Sequence, residues 1–335
     1  MASIRRVPTG NVVLGELPRG CEYCLRGRKA VIFVTGLCPR NCFYCPLSSE
    51  KKGRDAFYVN EVRVGSLKDM VREVAVSAAE GAGLTGGDPL VRLQRTLRII
   101  ETLKTEFGRS FHIHLYTSGV TLSDKDLRLL ISAGLDELRI HPPPEILDTT
   151  IALVKNYVNA LDIGFELPAI PGEEEYLTAV IAKLEDAGIK FLNLNELEFS
   201  ETNYAALLQR GYEVSDDYIS ARGSRETALR VLNLAKSRGT CISVHFCPAV
   251  SKDRYQTSLR LFRRAIVTAL PFEHVTDYGT LVFAEGEGLK KYLPKQLYSV
   301  RRSRIVGSVF YSDFLANPRV VEELASADRL RVYEA

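Results

Sequence analysis

Short apolar segments alternate with helical patterns along most of the chain. Glycines such as Gly134 and Gly188 end the helical patterns, and glycine suits the left-handed backbone just past a helix end. Strands that alternate with helices indicate a parallel sheet. Six or seven such units favour a partial or full (β/α) barrel over an open, doubly wound sheet. The predicted strands are residues 30–35, 84–86, 111–117, 136–141, 165–170, 191–197 and 242–246.

This alternation divides the chain into three predicted parts. Residues 1–29 form an N-terminal extension, residues 30–250 the barrel, and residues 251–335 a small C-terminal α+β appendage. Polar loops at 48–65 and 200–223 follow the first and sixth strands, at the end of a barrel where functional loops lie. The appendage is mildly basic, which is typical of a solvated surface; a partner-binding face is the alternative.

The predicted strands carry polar side chains at every second position. In the third strand, a period of two sends Ile113 and Leu115 to one face and His114 and Tyr116 to the other. A buried polar row is costly unless it is paired or solvated. We therefore predict a cavity inside the barrel that holds a polar ligand, with a closed hydrogen-bond network as the alternative. The other polar members of this alternation are His112, Glu137, Arg139, His141, Glu166, Asn193, Asn195, Ser243 and His245.

Composition and charge exclude several classes of protein. The 335 residues are 46% hydrophobic and 25% charged, which is typical of a globular protein and excludes a collagen or a wholly disordered chain. The formal net charge of +3 is too small to indicate nucleic-acid binding by itself. No apolar run approaches the roughly 18 residues of a membrane span, and the first residues lack the apolar core of a signal peptide. We expect a cytoplasmic protein that does not enter a membrane.

Three of the seven cysteines are closely spaced after the first predicted strand. Cys38, Cys42 and Cys45 have the spacing CxxxCxxC. A structural zinc site usually has four ligands, whereas three clustered thiolates suit a [4Fe–4S] cluster in which one iron has no cysteine. That iron is free to bind an exogenous ligand, as chemistry at the cluster requires.

This arrangement resembles the radical S-adenosylmethionine (SAM) superfamily. The triad follows the first strand of a βα barrel, and Tyr44 is the aromatic residue before its last cysteine. After the second strand, the Thr-Gly-Gly-Asp-Pro run at 85–89 resembles the Gly-Gly-Glu element of that superfamily, with Asp88 in place of glutamate. Residues 167–173 resemble its apolar element on the fifth strand, which contacts adenine. An archaeal subgroup related to pyruvate formate-lyase activating enzyme is especially similar, through residues 42–48, 83–90 and 111–116.

The resemblance implies a SAM-dependent radical enzyme. The open iron would chelate SAM, and the reduced cluster would cleave it to methionine and a 5′-deoxyadenosyl radical. That radical would abstract hydrogen from a substrate in the cavity. A one-electron donor such as ferredoxin or flavodoxin is implied as a partner, and a polypeptide, an RNA base and a polar metabolite remain open as substrates.

The resemblance also implies site residues. Arg139 and His141 would contact the ribose and carboxylate of SAM, and both are candidate catalytic residues. The full set expected to bind SAM is Tyr44, Thr85, Gly86, Gly87, Asp88, Thr117, Ser118, Arg139, His141, Ile170 and Gly172. The catalytic candidates left for the substrate are His114, Tyr116, Glu166, Asn193, Asn195 and His245.

The remaining four cysteines leave a second metal site open. Cys241 and Cys247 flank a predicted strand of roughly 20 Å and cannot share one metal. Cys21, Cys24 and Cys247 could bind a second iron–sulfur cluster or zinc, and a Cys21–Cys24 redox pair or free thiols are the alternative. We place Cys241 in the core.

A function from a different class is also compatible with the cysteines. The chain would then be a non-enzymatic iron–sulfur or zinc protein that acts in electron transfer or RNA binding. Cleavage of SAM by the reduced, cluster-loaded protein distinguishes the two hypotheses.

Overall fold

The computed structural model describes residues 3–325 and contains a sheet of eleven strands followed by one of five. Seven parallel strands form the centre of the larger sheet and are joined by helices on its outer face. The parallel βα order confirms the predicted fold class, in its partial-barrel form. The seven strands are β3 Lys29–Thr35, β6 Gly81–Gly86, β7 His112–Thr117, β8 Glu137–Ile140, β9 Asp162–Ala169, β10 Phe191–Glu196 and β11 Ser243–Cys247. The helices between them are α2 Leu67–Val76, α3 Leu93–Phe107, α4 Asp124–Ala133, α5 Leu147–Val154, α6 Glu174–Asp186, α7 Tyr204–Leu208 and α8 Ser224–Ser237.

Antiparallel strands extend the parallel sheet at both edges. β2, Val12–Leu14, pairs with β11, and β1, Ile4–Arg6, pairs with β2. At the other edge β4, Tyr58–Val59, pairs with β3, and β5, Val62–Arg63, pairs with β4. Within residues 3–325 the outermost strands β1 and β5 do not pair with each other, so the barrel is incomplete.

A short helix near the N-terminus fills the barrel at the starting ends of the strands. This helix, α1 Arg19–Leu25, places the backbone N–H of Gly20 3.0 Å from Oε2 of Glu137, the first residue of β8. A Cβ atom at Gly20 would collide with His114 and Arg139, so only glycine allows this close approach. Residues 19–25 of the predicted extension therefore lie inside the barrel.

The outward faces of the strands supply the apolar core. Leu115, Leu138, Leu192 and Val244 are fully buried there among side chains of the surrounding helices. Burying each such side chain contributes about 1.5–3 kcal/mol. The alternation predicted from the sequence is confirmed, because the polar residues between these positions face the inside of the barrel.

The C-terminal part packs against the barrel through a buried ion pair. Arg264 Nη2 lies 2.8 Å from Oε1 of Glu73 on α2. Burial raises the pKa of Glu73 to about 7, and Arg264 opposes that rise. A π-helical turn, Ser251–Thr257, leads into α9, Ser258–Thr268, which carries Arg264. The antiparallel strands that follow are β12 His274–Val275, β13 Thr280–Gly286, β14 Tyr298–Arg301, β15 Arg304–Gly307 and β16 Arg319–Leu324.

Short 3₁₀ turns complete the secondary structure at Pro89–Arg92, Pro144–Ile146, Lys155–Tyr157, Lys295–Leu297 and Val309–Phe314. In the described part of the chain no helix has both the length and the apolar character needed to cross a membrane.

Candidate active site

A cavity of about 670 Å³ begins at the carboxyl ends of the parallel strands and extends to their starting ends. Cys38, Cys42 and Cys45 line it beyond the end of β3, whereas Lys29 lines it at the first residue of that strand. Seven residues of extended strand span roughly 20 Å, so the cavity reaches through most of the barrel. Of the predicted site residues, it is also lined by Tyr44, Thr85, Gly86, Gly87, His114, Tyr116, Thr117, Ser118, His141, Glu166 and Asn195.

Two glycines let the loop after β6 lie against the base of the cysteine loop. Gly87 N–H donates to the carbonyl oxygen of Thr35 at 2.8 Å, and Asp88 N–H donates to that of Leu37 at 2.8 Å. A Cβ atom on Gly86 or Gly87 would collide with these same backbone segments. The Gly-Gly-Asp element therefore fixes where the cysteine loop leaves the barrel.

The carboxylate of Asp88 is fully buried and does not line the cavity. It accepts hydrogen bonds from Ser118 N–H at 2.9 Å, Thr117 Oγ1 at 3.1 Å and Leu90 N–H at 3.0 Å. A contact between Asp88 and SAM stays a prediction, and the carboxylate itself is used by internal donors. Thr117 and Ser118 border the cavity, but their hydroxyls are bound to Asp88.

Tyr44 and His141 join the cysteine loop to the end of β8. The Tyr44 hydroxyl lies 2.9 Å from His141 Nε2, and the two rings stack at 5.6 Å between centroids. Burial lowers the pKa of His141 to about 3 and raises that of Tyr44 well above its usual range. The Tyr44 O–H therefore donates to an unprotonated Nε2. Arg40 adds a second link through a 2.6 Å bond to the His141 carbonyl oxygen.

The polar loop after β10 covers the cysteine loop. Asn203 Nδ2 donates to the Tyr44 carbonyl oxygen at 3.1 Å, and Thr202 Oγ1 donates to that of Leu47 at 2.7 Å. Tyr212 stacks on Phe43 at 6.3 Å between centroids. These contacts satisfy carbonyl groups of a segment that has no regular secondary structure of its own.

Arg139 is buried beneath the large cavity and does not line it. Its guanidinium binds Glu137 at 2.5 Å, Glu166 at 3.2 Å and the Tyr116 hydroxyl at 3.0 Å. A contact between Arg139 and the SAM carboxylate stays a prediction. Breaking a buried ion pair of this kind costs about 3–5 kcal/mol, so Arg139 is held by its internal partners.

A hydrogen-bonded series runs across the inner strands from Glu166. Its carboxylate accepts from Asn195 Nδ2 at 2.7 Å and from Asn193 Nδ2 at 3.2 Å. Asn193 Oδ1 lies 3.2 Å from Nδ1 of His245, and Asn11 Oδ1 lies 2.8 Å from its Nε2. Asn193 and His245 border a separate cavity of about 90 Å³, so these two residues do not face the large cavity.

The element at 167–173 contacts the large cavity through Pro168. Ile170 is buried and Gly172, with a φ of 88°, lies in a turn. Neither of these two predicted SAM contacts lines the cavity.

Cys21, Cys24 and Cys247 all border the smaller cavity. Among residues 3–325, no three histidine, cysteine or acidic side chains converge as ligands of a single metal ion. A second iron–sulfur cluster or a zinc ion at these three cysteines stays a prediction. Burial raises the pKa of Cys247 to about 12 and raises those of Cys21 and Cys24, which leaves the thiols protonated.

Cys241 is exposed, so its predicted place in the core is wrong. β11 begins at Ser243, and Cys241 belongs to the turn before it, where its N–H donates to Glu185 Oε1.

Several residues that line the cavity were not predicted from the sequence. Lys29 directly precedes the first predicted strand, and a period of two places it on the inward face with Val31. Lys252 and Gln256 line the cavity from beyond the predicted boundary at 250. Lys252 Nζ lies 3.6 Å from Oε1 of Glu198. No signal in the sequence indicates these last two residues.

Comparisons with known proteins identify the family. Residues 32–190 match the family described as the radical SAM superfamily. A protein of Methanocaldococcus jannaschii, provisionally named a glycyl-radical enzyme activating enzyme, is 36% identical over 326 residues, which cover 92% of this chain and 84% of that protein. The chain belongs to the radical SAM superfamily. Within it, the subgroup related to pyruvate formate-lyase activating enzyme, predicted from the sequence, is confirmed.

Solved radical SAM structures are similar in fold at low identity. Streptococcus suis SuiB bound to S-adenosylmethionine matches with a TM-score of 0.46 and 10% identity, over 66% of this chain and 50% of SuiB. Escherichia coli coproporphyrinogen III oxidase matches with a TM-score of 0.41 and 11% identity, over 67% of this chain and 57% of that one. The chain thus spans about half the length of these enzymes.

Membership of this superfamily implies a [4Fe–4S] cluster and SAM, and the residues present fit both. The three cysteines of the triad border one cavity, where their thiolates can bind different irons of one cluster. Gly86 and Gly87 border the same cavity beside them. Cys38, Cys42 and Cys45 would hold the cluster.

Proposed function

We propose that this chain holds a [4Fe–4S] cluster and SAM at the mouth of the large cavity and uses them to take a hydrogen atom from a substrate inside the barrel. The observation that carries the proposal is one continuous cavity. It is lined at one end by Cys38, Cys42 and Cys45 and further down by polar side chains such as Tyr116 and Glu166.

When bound, the cluster held by Cys38, Cys42 and Cys45 would supply one electron for the reductive cleavage of SAM. The chain itself positions and encloses the reacting groups. Backbone atoms of Gly86 and Gly87 form the wall next to the cysteines. Asp88 acts as a positioning residue, because it holds the loop after β7 against that wall. Tyr44 and His141 present a stacked pair of rings on the other side, which offers a flat surface for adenine.

We propose a polypeptide as the first substrate class to test. The name of the Methanocaldococcus jannaschii relative supports it, since activation of a glycyl-radical enzyme acts on a protein. A polar metabolite remains the second class, because the cavity extends into the barrel as far as Lys29 and is lined there by polar side chains. A ferredoxin or flavodoxin would deliver its electron near Cys38, which is the exposed member of the triad.

The decisive experiment is SAM cleavage by the reconstituted protein. Anaerobically reconstituted and dithionite-reduced protein is expected to form 5′-deoxyadenosine from SAM. Cys42→Ala should lose the cluster absorption and the activity, whereas Cys241→Ala, which changes an exposed thiol, should keep both. Cluster-loaded protein that neither binds nor cleaves SAM would contradict the proposal and favour the non-enzymatic alternative.

A further inference from the structure

The floor of the large cavity carries a buried ammonium group. Lys29 is 3% exposed and lines the cavity from the first residue of β3. Its Nζ lies 2.9 Å from Nδ1 of His112 and 5.7 Å from the centroid of the Tyr23 ring. Within the part of the chain that the structure describes, no carboxylate oxygen lies within ion-pair distance of this nitrogen. A charge buried without an opposite partner is costly unless a ligand supplies one.

The hydrogen bond to His112 uses only one of the N–H donors of Lys29. An ammonium only donates hydrogen bonds, so Nδ1 of His112 accepts, and its Nε2 carries the proton. Oε2 of Glu137 lies 3.5 Å from that nitrogen but makes no hydrogen bond with it. The Tyr23 ring attracts the cation through its face but provides no lone pair for a conventional hydrogen bond. Lys29 therefore keeps N–H groups that can bind an acceptor in the cavity.

His114 adds a second polar group to the same floor. It is 1% exposed and lines the cavity, while its Nδ1, which has no hydrogen-bond partner, faces Gly20 of α1. A Cβ atom on Gly83, the residue paired with it on β6, would collide with the ring. Glycine at this position therefore leaves room for the imidazole in the wall of the cavity.

Desolvation does not remove the charge of Lys29 at neutral pH. Burial lowers the pKa of Lys29 to about 8, while Glu137 opposes that change and Arg139 adds to it. At pH 7 most of the population still carries the ammonium.

We propose that Lys29 binds a carboxylate group of the substrate at the floor of the barrel, where His114 also lines the cavity. One ammonium balances one negative charge, which favours a carboxylate over a phosphate dianion. The triad lies at the opposite end of the same cavity, so the substrate is an elongated acid that enters with its carboxylate first. The carboxylate belongs either to a free linear acid or to a peptide. This inference rests on the proposed function, since it takes the cavity to be the substrate site.

The test measures binding to cluster-loaded protein with SAM present and no reductant, so that no turnover occurs. Calorimetry with hexanoate, octanoate and the peptide Gly-Gly-Gly should show binding by at least one acid at pH 7. The matching amides and inorganic phosphate should bind at least tenfold more weakly. This comparison uses the unaltered protein and does not depend on whether a variant folds. Preference for fatty acids or for the peptide distinguishes the two sources of the carboxylate.

Lys29→Met should weaken the binding of that acid by about tenfold or more, whereas Lys52→Met, at another lysine that lines the cavity, should change it less than twofold. The proposal is overturned if none of the acids binds, if the amide or phosphate binds as well as the acid, or if a folded Lys29→Met protein retains full affinity. Formation of 5′-deoxyadenosine by protein that binds no acid would overturn this proposal alone and leave the proposed function standing.

Discussion

Asp88 binds Ser118 twice, through the backbone N–H at 2.9 Å and through the hydroxyl at 2.5 Å. The two residues belong to the loops after neighbouring strands β6 and β7. Because Asp88 N–H also bonds to Leu37 in the cysteine loop, a single residue links three segments around the mouth of the cavity.

Asp88→Asn should weaken this link. Both carboxylate oxygens of Asp88 accept hydrogen bonds, whereas the amide of asparagine would place an N–H₂ donor opposite one set of these donors. We therefore expect a loss of about 2–3 kcal/mol in the free energy of unfolding. SAM should also bind several-fold more weakly, as measured by equilibrium dialysis with cluster-loaded protein. Asp216→Asn, at a side chain that is 94% exposed, is the control. Unchanged SAM affinity in Asp88→Asn would show that the link does not position the site.

Gly87→Ala should displace the cysteine loop. The added methyl group would collide with the Leu37 carbonyl oxygen, and backbone has little room to give. We expect the variant to take up less than half the iron of the unaltered protein during anaerobic reconstitution. In Gly288→Ala the new methyl group meets open space, and iron uptake should be normal. Full iron uptake by Gly87→Ala would refute the role given to this glycine.

Asn203→Ala should loosen the cover over the cysteine loop. The Asn203 amide donates to Tyr44 and Glu198 and accepts from the Ser200 N–H at 2.7 Å. Removing these bonds leaves buried backbone groups unpaired, at a cost of about 1–3 kcal/mol. Exposure to air should then bleach the cluster absorption several-fold faster. Asn233→Ala, on the exposed face of α8, should bleach at the normal rate; equal rates for both variants would contradict the prediction.

We expect the free energy of unfolding to fall in mild acid because of His245. Burial lowers the pKa of His245 to about 3, and Arg139 lowers it further. The unfolded chain binds a proton at this residue near pH 6.5, whereas the folded chain does so only near pH 3. The contribution of His245 to the free energy of unfolding is therefore complete above pH 6.5. That contribution is lost as the pH falls, by about 2 kcal/mol between pH 6.5 and 5.

Urea unfolding at both pH values checks this contribution. His245→Gln should reduce the pH-dependent loss of unfolding free energy by that amount, even if the variant is less stable throughout. His274→Gln, at an exposed histidine, should leave the pH dependence as it is. An identical pH dependence in His245→Gln would contradict the depressed pKa.

The strands of the barrel could be predicted from the sequence because their signal is local. Alternation such as Ile113, His114, Leu115 fixes a strand and its two faces, and a glycine after each helix marks the connection. Helix α1 could not be predicted in this way. The segment after Pro18 has only seven residues, which is too short to show the helical period of apolar side chains. β1 and β2 have three residues each, and the pairing of β2 with β11 joins segments that are far apart in the chain.

The chemistry of the site was predictable in part, for the same reason. The spacing of Cys38, Cys42 and Cys45 and the order of the Gly-Gly-Asp run are local patterns. The period of two shows that Arg139 and His114 point inward, but it does not show the depth at which they lie. That depth is decided by α1, which covers Arg139 and leaves His114 at the floor of the large cavity.

The hydrogen bond between Gly20 and Glu137 also affects how the protein folds. Its partners are 117 residues apart, and contacts between distant residues form slowly because a long loop must close first. During synthesis, α1 leaves the ribosome well before β8 exists, so Cys21 and Cys24 stay uncovered until the middle of the barrel has been made. The segment made first thus reaches its place only after strands made much later, and in that interval both thiols are open to oxidation.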